Sequence, residues 1–199
     1  MNFKGISFYL SLFCFPVSFL SFVNILYASY FDFFLSIETY FITLGISLLL
    51  GLSFLYFGKK FSKNINFIEQ LILIICAYTL TSGLISVPFY LSNYQVTFLN
   101  SIFESISGLT GTGFSIFKDI KYLDPTLILW RSSSQWLGGL FFLSFLLIVF
   151  SNKSFNFKMT NLTYSGDNNF NSESNIKDNL LRIFIIYSLL SISILSLLN

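Results

Sequence analysis

The chain reads as an all-α integral membrane protein, and three observations carry that reading. Its mean hydropathy is +0.74. Only 10% of its 199 residues are charged, against 54% apolar. The charges are also clustered, leaving the runs 5–31, 39–58, 70–103 and 132–152 without any. A soluble domain carries about 25% charged residues. Each uncharged run approaches or exceeds the roughly 20 residues that a helix needs to cross a hydrocarbon core.

The same composition excludes several kinds of chemistry. There is no histidine, which removes Ser-His-Asp triads, Cys-His dyads and imidazole metal sites together. Cys14 and Cys76 both lie inside apolar runs and read as small buried hydrophobes. The carboxylates are too dispersed for an acid/base pair. A net charge of +2, from scattered cations with no basic stripe, offers nothing to a nucleic acid. No enzyme constellation and no cofactor motif is present. The 27 phenylalanines suit lipid-facing positions.

The elements follow in order. The first span covers about 6–27, with Pro16 expected to kink it. Lys4 ahead of an apolar run imitates a signal peptide, but such an h-region is about 7–15 residues long and this run is longer, so it reads as a retained helix. The second span runs from about 34 to 57 and stops at "GKK". The third runs from about 67 to 91, with Pro88 near its end. Then comes "YQVTFLNSIFESISGLTGTGFS", amphipathic and too polar to face lipid. "LDPT" opens the fourth span with Asp124 as N-cap and Pro125 as first helical residue, and that span ends near Phe150. Residues 151–175 are rich in Asn and Ser and read as a loop. A last span begins near Ile176.

Lysines and arginines give the orientation. With a cytoplasmic N-terminus and a non-crossing 97–115 segment, one side holds Lys4, Lys59, Lys60, Lys63, Lys153, Lys158, Lys177 and Arg182, and the other holds Lys118, Lys121 and Arg131. Eight against three is a positive-inside bias. If residues 97–115 crossed the membrane, the 153–177 lysines would fall outside, so the segment reads as re-entrant.

Non-helical backbone at membrane depth is tolerated only where protein or a water-filled cavity surrounds it. A short helix over about 97–109 would direct its C-terminus, the negative end of its dipole, toward the membrane interior. The "TGTG" that follows, expected to be extended, would present backbone carbonyls, with threonine hydroxyls as further acceptors. Such groups replace the water shell of a dehydrating cation. A second reading stays open: glycines also let two helices pack closely. Gly113 admits two roles as well, a filter position or a helix-terminating C′ glycine. Glu104 is an ionisable residue at membrane depth, and so either anchors the loop or meets an ion. Arg131 partners Glu104 or the carbonyls behind the loop, or snorkels to the interface. Trp130 and Trp136 suit an outer aromatic belt or a buttress for the loop, and "WLGG" suits a close helix contact.

The run "FESISGLTGTGFSIF" and the later "LILWRSSSQWLGGL" together resemble the first pore repeat of the Trk/Ktr/HKT superfamily of potassium transporters, in its bacterial TrkH-type branch. Phe103, Glu104, Ser105, Ser107, Gly108, Thr110, Thr112 and Gly113 match its filter segment. Trp130, Arg131, Ser132, Gln135, Trp136, Gly138 and Gly139 match the opening of its next helix. The resemblance implies two N-terminal transmembrane helices in residues 1–60. It implies a first helix–re-entrant pore loop–helix repeat in 61–155 with a K+ filter at 110–113, a cytoplasmic loop in 156–175, and the first helix of an incomplete second repeat in 176–199. It implies potassium transport across a bacterial inner membrane, with K+ as the transported ion held by carbonyls of Thr110, Gly111, Thr112 and Gly113, and Glu104 and Arg131 in support. The implied partners are the lipid bilayer, the remaining pore repeats, a second copy of the subunit and a cytosolic nucleotide-binding regulatory subunit. In this family glycine at the position of Gly113 goes with potassium selectivity and serine with sodium. Two departures stand out. Gly111 replaces the middle threonine of the family's Thr-Thr-Thr-Gly, and the family closes one pore with four repeats where this chain holds one. A structural or assembly role without transport is therefore the alternative function.

Overall fold

The computed structural model of the chain describes residues 3–33, 37–58, 67–150 and 176–198. Every regular element among the described residues is helical: α1 (Phe3–Tyr30), α2 (Ile37–Gly58), α3 (Phe67–Leu91), α4 (Phe98–Leu109), a single 3-10 turn (Ile120–Tyr122), α5 (Pro125–Phe150) and α6 (Ile176–Leu198). Three of them, α1, α2 and α3, are long and apolar enough to cross a membrane. Helix α5 has 26 residues, but its first half carries Arg131, Ser132, Ser133, Ser134 and Gln135, which dilutes its apolarity. In α6 the described apolar stretch is Arg182–Ile194. Lys59, Lys60 and Lys63, and the whole 156–175 loop, lie outside the described residues.

The chain forms two compact units, Met1–Gly139 and Leu140–Asn199. The first holds the candidate site. Its base is an antiparallel pair, α1 on α2, joined by small and hydroxylated residues. Ser7 Oγ donates to the Phe54 carbonyl at 2.9 Å, Ser18 and Ser47 share a hydroxyl bond of 2.7 Å, and Gly51 sits against Cys14. Lipid supplies no hydrophobic drive between apolar helices, so close approach and interhelical hydrogen bonds do that work. Pro16 is accommodated inside a continuous α1; membrane helices tolerate proline where neighbouring groups satisfy the freed carbonyl.

Helix α5 begins as its sequence predicts. The Asp124 carboxylate accepts from the Thr126 amide at 3.2 Å, and the Asp124 carbonyl accepts from Leu127 and Ile128. Two aromatic side chains then lock its first turns to the bundle. Trp130 Nε1 donates to the Ile85 carbonyl of α3 at 3.0 Å, and Tyr40 of α2 donates its hydroxyl to Thr126 Oγ1 at 3.2 Å. Trp130 is therefore a buried buttress, 1% exposed, and not a headgroup-level belt residue.

In the second unit the helical serines Ser144, Ser188 and Ser191 each donate to a carbonyl of the preceding turn. That is the usual resort of a hydroxyl in an apolar helix.

Candidate functional site

Helix α4 is built inside out relative to a water-soluble amphipathic helix. Thr97 caps it in an extended conformation, its side chain accepting from the Asn100 amide. Ser101, Glu104, Ser105 and Gly108, at i, i+3, i+4 and i+7, are buried. Phe98, Leu99, Phe103 and Ile106 are exposed. The helix thus turns its polar and small face to the protein, where those groups find hydrogen bonds.

Glu104 is fully buried, and its carboxylate is saturated with donors. The Arg131 guanidinium Nε donates to Oε1 in a buried ion pair. The Ser115 hydroxyl lies 3.1 Å from Oε1 and 3.2 Å from Oε2, and the Ile116 amide donates to Oε2 at 3.0 Å. Arg131 spends its other arm on the loop: Nη2 donates to the Gly113 carbonyl at 3.1 Å and the Phe114 carbonyl at 3.2 Å. A buried ion pair offsets its desolvation only when the remaining hydrogen-bonding capacity is used. Here the loop itself uses it. Glu104 holds the descending side at 115–116, Arg131 holds 113–114, and α4 and α5 clamp the segment between them.

The expected extended "TGTG" instead opens on a tight turn at Thr110 and Gly111, followed by irregular backbone over 112–115. Helix α4 ends at Leu109, Thr110 keeps an αR conformation as C-cap, and Gly111 (φ 69°) takes the left-handed C′ position. Its amide donates to the Gly108 carbonyl at 3.0 Å. Gly113 is also left-handed, at φ 77°. The helix-terminating glycine is therefore Gly111, and Gly113 gives the loop a second left-handed residue. The substitution of threonine by glycine at 111 is matched by a backbone that a β-branched residue enters only under strain.

The threonine hydroxyls face the helix. Thr110 Oγ1 donates to the Ile106 carbonyl at 2.8 Å, and Thr112 Oγ1 lies 3.3 Å from the Ser107 carbonyl and 3.2 Å from Ser107 Oγ. The carbonyl oxygens of Thr110, Gly111 and Thr112 accept no hydrogen bond among the described residues, and residues 110–114 are exposed on the chain. Of the residues singled out from sequence, Glu104, Arg131 and Gly113 come together in one bonded network, while Thr110, Gly111 and Thr112 form the exposed crest beside it. Two contributors escaped sequence reasoning: Ser115, which completes the Glu104 shell, and the hydroxyl of Ser107.

The "WLGG" contact is also resolved. A Cβ on Gly138 would stand 2.0 Å from the Leu109 carbonyl oxygen, and one on Gly108 would stand 2.3 Å from Ser134 Oγ. Ser134 and Gly138, four residues apart on α5, thus form the small-residue seat for the end of α4.

No protein-family model matches the chain, and no solved structure does. Three curated relatives are similar to part of it. An uncharacterised cation transporter of Methanocaldococcus jannaschii is 30% identical over 94 residues, 45% of this chain and 20% of that protein. The Trk system potassium uptake protein TrkI of Halomonas elongata is 36% identical over 72 residues, 36% of this chain and 15% of that protein. The corresponding TrkG of Escherichia coli is 29% identical over 106 residues, 53% of this chain and 22% of that protein. The chain thus spans about a fifth of the length of the relatives it matches. By these relatives, and by the two motifs it carries, the chain is homologous to the N-terminal part of Trk/Ktr superfamily proteins.

Proposed function

We propose that the chain forms part of the pore-forming subunit of a Trk-type potassium uptake system, and that K+ sheds water onto backbone carbonyls of Thr110, Gly111, Thr112 and Gly113. One observation carries the reading: three successive carbonyls, 110 to 112, stand on an exposed crest without hydrogen bonds, while their threonine hydroxyls are tied back to α4. Free carbonyls at the negative end of a helix suit a dehydrated monovalent cation. The Gly113 carbonyl shares its lone pairs with Arg131. A single crest supplies ligands from one side, so the reading requires further pore repeats around the ion. It also includes a paired subunit, a cytosolic nucleotide-binding regulatory partner, and no enzymatic reaction. The relatives' names support potassium transport by such systems.

The test is rubidium uptake and potassium-limited growth in cells without their own uptake systems, with the chain expressed together with the remaining repeats. Gly113→Ser adds a side chain at φ 77°, where strain is about 1–3 kcal/mol, and is expected to lower the potassium-to-sodium ratio several-fold. Gly111→Thr is expected to impair uptake too, although the family's usual residue there is threonine, because φ is 69°. A transporting protein whose ratio is indifferent to Gly113→Ser would overturn the filter assignment. Uptake that is lost without this chain but indifferent to both glycine substitutions would favour an assembly role instead, a reading that the single crest among the described residues also suits.

The same reading puts the chain in the inner membrane with a cytoplasmic N-terminus and residues 92–125 outside, on the eight-to-three distribution of cations. Single cysteines probed with an impermeant reagent in intact cells are expected to label at Lys121 and not at Asn156. The reverse pattern would invert the topology.

A further inference from the structure

Helix α4 contains three serines, and their hydroxyls behave differently. Ser101 donates to the Phe98 carbonyl at 2.7 Å and Ser105 to the Ile102 carbonyl at 2.8 Å, each within its own turn. Ser107, in the last turn and 3% exposed, instead donates forward to the Phe114 carbonyl at 2.6 Å, seven residues on. It also lies 3.2 Å from Thr112 Oγ1. Its carbonyl meets the same hydroxyl at 3.3 Å and the Gly113 amide at 3.5 Å. One residue therefore fastens the far side of the loop, 112–114, back to the end of α4, and the three unbonded carbonyls belong to the stretch that this closure spans.

We propose that Ser107 is a positioning residue of the ion-binding crest: it closes the 107–114 loop from within α4 and thereby sets the spacing and stiffness of carbonyls 110–112. The proposal rests on the reading of that crest as a potassium site. Discrimination between cations depends on how many carbonyls face the ion and how far they can yield. A crest held at one hinge resists collapse onto a smaller ion. The hinge is not what keeps the loop in place, because Arg131 and Glu104 hold 113–116 independently. Loss of the Ser107 hydroxyl should therefore leave a folded protein with a looser crest.

Ser107→Ala and Ser105→Ala, compared in the transporter with all its repeats, separate this from a general packing effect, since both delete a buried hydroxyl from the same helix. In detergent, hydrogen exchange at the Gly113 amide, which donates to the Ser107 carbonyl at 3.5 Å, is expected to accelerate about five- to tenfold in Ser107→Ala, the change expected for one net hydrogen bond. Ser105→Ala should not alter it. In cells the potassium-to-sodium uptake ratio should fall at least about threefold in Ser107→Ala, stay at the wild-type value in Ser105→Ala, and be restored by Ser107→Thr. If Ser107→Ala fails to assemble, Ser107→Cys, which keeps the volume with a weaker donor, is read in the same two assays. Unchanged exchange in the folded variant overturns the staple. Faster exchange with an unchanged uptake ratio overturns the positioning role. Faster exchange in an assembly whose wild type carries no potassium leaves the staple standing and removes the site that it was proposed to serve.

Discussion

Arg131→Ala is expected to destabilise the protein by about 3–5 kcal/mol, because it leaves the Glu104 carboxylate buried without its counter-charge. Glu104 is fully buried, and its remaining donors, the Ser115 hydroxyl and the Ile116 amide, are neutral. The same change strips a donor from the Gly113 and Phe114 carbonyls, so the loop loses its grip on α5 at once with the charge balance. Lys121→Ala, on an exposed side chain, is the control and should melt with the wild type. Arg131→Lys keeps the charge but not the fork, since one ammonium cannot reach Glu104 and two carbonyls as a guanidinium does; it should fall between. The informative variant is the pair Glu104→Gln with Arg131→Met. Neither charge is then buried alone, and the glutamine carbonyl still accepts from Ile116, so most of the stability should return. The two loop carbonyls still lack their donor, so ion discrimination should not return with it. Thermal melting and protease resistance in detergent, read beside rubidium uptake, decide the matter. An Arg131→Ala protein as stable as Lys121→Ala would show that the ion pair does not hold the loop.

What was legible in the sequence were the features with strong local causes. Long uncharged runs marked α1, α2 and α3, and the punctuation residues Asp124 and Pro125 marked the start of α5 to the residue. Thr97 and the break at Leu109 bounded α4 for the same reason. Charge scarcity also said that Glu104 and Arg131 needed partners. It offered Glu104, the loop carbonyls or the interface as alternatives for Arg131, and the outcome, Glu104 27 residues away together with two loop carbonyls, depends on how α4 folds back onto α5. An extended segment was expected where Gly111 and Gly113 both adopt left-handed conformations, since which glycine ends a helix depends on where its last hydrogen bond falls, and Thr110 prolongs the helical geometry by one residue. Ser107 matches the filter segment, but nothing in its spacing says which group its hydroxyl bonds. A serine in a membrane helix ordinarily bonds to its own preceding turn, and only the return of the chain to Phe114 gives this one another acceptor.

Gly138→Ala is expected to be the most damaging single methyl added to the site. The new Cβ would stand 2.0 Å from the Leu109 carbonyl oxygen, 2.7 Å from its carbon and 3.0 Å from its Cα. All three are backbone atoms, so no side-chain rotation relieves the clash, and either α4 or α5 must move. Overpacking typically costs about 1–3 kcal/mol, and a rigid neighbour puts this case at or above the upper end. Leu109 is the last residue of α4 and Thr110 begins the crest, so a displacement there enters the loop directly. Gly108→Ala provides the graded comparison. Its Cβ meets Ser134 Oγ at 2.3 Å, a hydroxyl that can swing away after surrendering its 2.6 Å bond to the Arg131 carbonyl. Gly83→Ala on α3 meets nothing within 4 Å and should be neutral. Melting temperatures in detergent are therefore expected to fall in the order Gly138→Ala, then Gly108→Ala, with Gly83→Ala at the wild-type value, and rubidium uptake should follow the same order. If Gly138→Ala melted no lower than Gly83→Ala, α4 and α5 would not be in backbone contact at Leu109, and the seat described for the end of α4 would be wrong.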